Sequence, residues 1–156
     1  MLNRRTVLLA SGLLVPARGA LAHGYKLGDL VIEHPWSRAT APSAPTAGGY
    51  LRIVNNGKTA DRLVSGRSTA SDKVEIHEMK MEGNVMRMRE LEKGLEIPAG
   101  GSVTLAPGGY HLMFIQLKEP FKEGAQVPAT LVFEKAGAID VVFSVNAMGS
   151  MPKMSH

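Results

Sequence analysis

Short apolar runs with a two-residue alternation, each closed by turn chemistry, follow one another along most of this chain. The pattern holds at 27–34, 49–55, 61–68, 73–79, 85–90, 102–105, 111–117, 129–134 and 139–145. These segments are rich in β-branched or alternating apolar residues, as half-buried strands require. Between them lie Asn55-Asn56-Gly57, Glu82-Gly83-Asn84, Pro98-Ala99-Gly100-Gly101, Pro107-Gly108-Gly109 and Ala136-Gly137, all turn formers. No stretch of ten or more residues keeps a helical period. Eight or nine short strands argue an all-β single domain, a β-sandwich or Greek-key barrel. Residues 40–46, with Pro42 and Pro45, predict a stiff loop, and Trp36, the one tryptophan, is expected in the core.

The two ends depart from this pattern. Residues 1–22 read as an export signal: Arg4-Arg5, an apolar run from Thr6 to Val15, then the small-residue site Ala20-Leu21-Ala22. That run is shorter than the roughly 20 apolar residues of a membrane span. Asn3-Arg4-Arg5-Thr6 also fits a twin-arginine signal, so Sec and twin-arginine export both stay open. Removing Arg4, Arg5 and Arg18 takes the net charge from +4 to about +1. Nothing then favours nucleic acid or an anionic membrane as partner. The expected mature domain is 23–146. Residues 147–156, holding Met148, Met151, Met154 and His156, form an expected flexible tail.

The chain has no cysteine. This excludes disulfides, zinc–thiolate modules, thiol redox chemistry and blue-copper electron transfer, whose site needs a thiolate.

Two stretches carry candidate chemistry. In Val74 to Met88 two strands fold over a turn expected at Glu82-Gly83, with Met81 beside it. Alternation sets Glu75, His77 and Met79 on one face, and Met86 and Met88 on one face of the return strand. An even-numbered loop of that kind sets His77 opposite Met88 and Met79 opposite Met86, whereas a three-residue loop sets His77 opposite Arg89. The second stretch is His111-Leu112-Met113, whose imidazole and thioether again share a face. Methionine alone is a common core filler. Two imidazole–thioether pairs from separate strands instead make a four-ligand set that suits copper(I), because thioethers are soft and uncharged.

Val74-Glu-Ile-His77-Glu, Val85-Met-Arg-Met88-Arg, Ile97-Pro-Ala-Gly-Gly and Pro107-Gly-Gly-Tyr-His111-Leu-Met113 resemble the periplasmic copper(I) chaperone family PCuAC. His34-Pro-Trp-Ser-Arg-Ala and Gly48-Gly-Tyr-Leu fit it too, so the resemblance spans most of 25–146. The family pattern is a His, a Met, then His-X-Met. Here ten residues separate His77 from Met88, which favours Met88 over Met86. Twenty-two separate Met88 from His111, one more than the family pattern. The resemblance implies a cupredoxin-like Greek-key β-sandwich binding copper(I) through His77, Met88, His111 and Met113. It further implies a non-enzymatic periplasmic carrier delivering copper toward the copper-A centre of cytochrome c oxidase subunit II, alongside a Sco-like thioredoxin-fold partner.

Two other readings stay beside it. Cleavage after Ala22 makes His23 the N-terminus, where amine and imidazole can chelate copper(II), as in an oxidative copper enzyme; His34 is the one obvious upstream second histidine. The third reading is a plain β-sandwich assembly module with methionine in its core. No nucleophile–His–acid arrangement or phosphate-binding glycine loop is present.

Overall fold

The computed structural model describes residues 24–149. The expected export signal, His23, Met151, Met154 and His156 lie outside the described residues.

Among the described residues the secondary structure is eleven β-strands and no helix. They are β1 (Tyr25–Leu27), β2 (Leu30–Arg38), β3 (Thr46–Asn55), β4 (Asp61–Arg67), β5 (Ser71–Glu82), β6 (Val85–Glu90), β7 (Leu95–Ile97), β8 (Ser102–Leu105), β9 (His111–Leu117), β10 (Gln126–Phe133) and β11 (Gly137–Asn146). Seven of them close on themselves in the order β2-β11-β10-β4-β5-β9-β3, with β3 returning to β2. Every neighbouring pair in the ring is antiparallel except β11 with β2. The Greek-key barrel alternative is thus the form taken. Strands β1, β6, β7 and β8 are appended to β2, β5, β4 and β3.

Alternation decides what fills the ring. Along β3, Ala47, Leu51, Ile53 and Asn55 are buried, with half-buried residues between them. Leu112 and Phe114 of β9 and Val74 and Ile76 of β5 join the same core. Phe114 meets Phe121 and Phe143 edge-on, with ring centres 5.3 and 5.5 Å apart, a favoured aromatic arrangement. Gly49 is where the core tolerates no side chain: a Cβ there would lie 2.8 Å from the Phe114 ring.

The three-residue strands β1 and β7 were not expected, and neither was the full run of β2. Its register slips between Glu33 and Trp36, where three steps on β2 match two on β3. His34 sits in that bulge with φ +48°. One extra residue reverses which side faces inward. Trp36, expected in the core, is therefore buried but outside the main apolar cluster. It lies opposite Tyr50 on the outer side, with ring centres 4.6 Å apart and the Arg38 guanidinium 5.7 Å from its ring. Residues 40–45 are non-strand, in keeping with the stiff loop between β2 and β3.

Candidate metal centre

Since Val74, Ile76, Leu112 and Phe114 point inward, Glu75, His77, His111 and Met113 point outward from adjacent strands. The β5–β9 register sets His77 directly opposite His111 and Glu75 opposite Met113. The two imidazoles lie with ring centres 5.6 Å apart and planes 64° apart. Two imidazoles each bonded to one ion at about 2.0–2.1 Å put their ring centres at about this separation.

The hairpin register differs from expectation. Its turn is Gly83-Asn84, with Glu82 paired to Val85. Gly83 has φ +64°, and a two-residue hairpin turn with glycine first needs that sign of φ there. A turn centred on Glu82-Gly83 would give the first position to Glu82, which resists it. His77 is therefore opposite Glu90, not Met88; Met79 is opposite Met88, and Met81 is opposite Met86. The shift is two residues, so every side chain keeps its face. Met88 stays on the outward face with His77, one diagonal step away. All four residues singled out by the sequence, His77, Met88, His111 and Met113, thus share one sheet face.

The surroundings of each imidazole decide which nitrogen is free. His111 is buried, and its Nδ1–H donates to the Gly109 carbonyl at 3.0 Å, which leaves the lone pair on Nε2. The same carbonyl accepts the Met79 backbone N–H at 3.2 Å, so the 107–110 turn is tied to β5. Burial pushes the His111 pKa down; the Gly109 bond acts against this, and the charge of His77 adds to it. His77 Nε2–H donates to Glu75 Oε2 at 2.7 Å. Lys73 holds the other oxygen of Glu75 at 2.8 Å. Hydrogen bonds from Lys73 and then His77 hold this carboxyl below the usual range, so it is an ionised acceptor. The proton of neutral His77 is consequently on Nε2, and the lone pair is on Nδ1.

That Nδ1 is buried without a hydrogen-bond partner among the described residues. A buried lone pair of this kind is costly unless something binds it. Metal-binding histidines typically donate their other N–H to a carboxylate or a backbone carbonyl; His77 does the first and His111 the second. Among the described residues no three His, Asp or Glu side chains group to hold a metal. The thioethers of Met88 and Met113 lie on the same face, and with the two imidazoles they make a donor set that fits a soft monovalent ion. The sequence reading missed the Glu75 and Gly109 contacts. The i, i+2 spacing of Glu75 and His77 was the one available signal for the first; the second depends on how the 107–110 turn folds back.

His34 is exposed in the β2 bulge, and Met148 is exposed after β11.

Comparison with known proteins agrees with the architecture. The LpqE-like family ("Putative lipoprotein LpqE-like") matches residues 30–145. A protein of Leifsonia xyli subsp. xyli described as "Putative lipoprotein Lxx21020" is 29% identical over 122 residues, 78% of this chain and 72% of that one. The copper-bound PCuAC domain from PmoF2 superposes with a TM-score of 0.68 at 31% identity, covering 80% of this chain and 98% of the domain. The copper(I) form of DR1885 from Deinococcus radiodurans gives 0.58 at 25% identity, covering 83% and 85%. The fold is the cupredoxin-like one of PCuAC domains.

Proposed function

Because the chain belongs to the LpqE-like family, a PCuAC-type family, we propose that it is a copper(I) carrier whose cargo is bound by His77, His111, Met113 and Met88. The observation that carries this reading is the pair of facing imidazoles, each with one N–H engaged and the other nitrogen left as a lone pair. The copper-bound relatives of the same fold support the choice of metal.

The residues divide the work of a carrier. Glu75 and the Gly109 carbonyl fix the ring orientations, so little reorganisation is needed when the ion arrives. Met113 adds a soft donor from β9 and Met88 one from β6. All four donors are neutral, so a monovalent ion is favoured over a divalent one. No thiolate is present, so a cysteine-rich acceptor holds copper more tightly and can withdraw it. The copper-A centre of cytochrome c oxidase subunit II, with or without a Sco-like thioredoxin-fold intermediary, is such an acceptor. The 1–22 leader makes the periplasm the compartment of action, and the protein carries rather than transforms its cargo.

Copper(I) titration against a competing chelator tests the reading, followed by mixing with apo subunit II. The parent is expected to bind copper(I) stoichiometrically at this site and to load the acceptor. His77→Ala should bind at least roughly tenfold more weakly. Equal affinity in His77→Ala and the parent would sink the site. Tight binding with no loading of subunit II would sink the acceptor.

A further inference from the structure

The β5–β6 hairpin continues past the imidazoles, and its end is unusual. Every residue of β6 is exposed, and β6 pairs with β5 alone. Met79 faces Met88 and Met81 faces Met86, so four thioethers occupy consecutive cross-strand positions on the face that carries His77. Met81, Met86 and Met88 are 57%, 45% and 51% exposed. None of them fills the core. The opposite face of the same hairpin is charged: Arg89 pairs with Glu78, Arg87 with Glu82 at 3.2 Å, and Lys80 lies opposite Arg87.

A projecting arm with one ion-paired face has no need of an apolar second face for its own stability. Exposed large apolar side chains in a cluster mark a binding surface. A surface serving only apolar docking would take leucine, isoleucine or phenylalanine as readily, yet all four positions here are methionine. Directly opposed strand residues have Cβ atoms about 4.5–5.5 Å apart, within reach of two flexible thioethers closing on one ion.

We infer that Met81 and Met86, with Met79, form a second copper(I) site at the hairpin end, separate from the imidazole pair. Its ligands are neutral, soft and solvent-accessible, so it takes a monovalent soft ion weakly and exchanges it quickly. Met88, opposite Met79, borders both sites, which makes the outer one an entry and exit station. Binding there stands on its own residues; only its use as a station rests on the carrier reading.

The test is an anaerobic titration of protein carrying methyl-13C methionine with copper(I) supplied as its acetonitrile complex. The first equivalent should shift the Met113 methyl, and the second should shift Met81, Met86 and Met79. Met81→Leu/Met86→Leu changes only exposed positions, so the barrel should fold as before. That variant should bind one ion fewer, lose the Met79 response to the second equivalent and keep the Met113 response to the first. A silent Met113 methyl with responsive Met81 and Met86 would support the outer site while overturning the inner one. Met81 and Met86 methyls unmoved through two equivalents would overturn the proposal and leave the face as a docking surface. Equal capacity in the double variant and the parent would overturn it as well.

Discussion

Each donor of the proposed site has its own assigned role, and each can be removed separately. Met113→Leu keeps volume and apolar character, so the fold should lose less than about 1.5 kcal/mol. Copper(I) affinity should fall by roughly tenfold or more, read by chelator competition against the parent. Met81→Leu is not a neutral comparison for it, since Met81 stands opposite Met86 on the thioether face. Glu75→Ala frees the His77 ring without removing a ligand, and a loss of roughly 10–100-fold is expected; unchanged affinity would show that the carboxylate does not orient the ring. Acid should also weaken the metal-free fold. His111 is held below the ordinary imidazole value chiefly by burial. Its neutral form therefore contributes stability that is complete above about pH 6.5. That contribution is lost as pH falls through the lowered folded value, because the unfolded chain takes up the proton first. Glu75, lowered by Lys73 and His77, adds a second loss at lower pH, as pH falls through its own folded value. Thermal unfolding across this range should show the midpoint dropping with pH, with the upper part of the drop flattened in His111→Asn. An identical profile in that variant would exclude His111 as its source.

At the scale of elements, the hairpin and the barrel should behave as separate units. Gly83→Ala forces a Cβ onto φ +64° with open space around it, a local cost of about 1–2 kcal/mol. Amides of β6 should exchange faster while the unfolding midpoint of the barrel barely moves; a full loss of barrel stability would contradict the division. Asp61 is the converse case. It is buried and accepts the backbone N–H groups of Arg62, Lys135 and Ala136 at 2.7, 2.9 and 3.0 Å, tying the start of β4 to the β10–β11 turn. Asp61→Ala should cost the whole fold about 2–3 kcal/mol by denaturant unfolding. These elements also show what the sequence could disclose. Nine strands were legible because each was long enough to show alternation. Strands β1 and β7 have three residues each, too few to carry a period. The far half of β2 was hidden because Pro35 reads as a breaker, and the bulge at His34 reverses the pattern that Trp36 would otherwise continue. The hairpin register was misplaced by two residues because Gly83 has to take the first turn position. The shared face survived because a two-residue shift preserves parity.

At the scale of the whole molecule, barrel closure and the proposed metal binding should reinforce each other. The ring is closed by pairing Trp36–Arg38 with Ser144–Asn146, far apart in sequence, and such topologies fold slowly. The facing imidazoles exist only once β5 and β9 are paired, so copper binding at the proposed site should stabilise the closed state, by about 2.7 kcal/mol at a free-ion level 100 times the dissociation constant. With no cysteine in the chain, the reductants that keep copper monovalent should leave the metal-free midpoint unchanged.

The central claim is that His77 binds through Nδ1 and His111 through Nε2, each held by the bond its other nitrogen makes. Long-range 1H–15N correlation spectra of the imidazoles, recorded before and after one equivalent of copper(I), test it most directly. His77 Nδ1 and His111 Nε2 should start as unprotonated nitrogens and shift on loading, while His77 Nε2 and His111 Nδ1 remain protonated throughout. Loading that leaves both rings unshifted, or that moves the opposite nitrogens, would contradict the account.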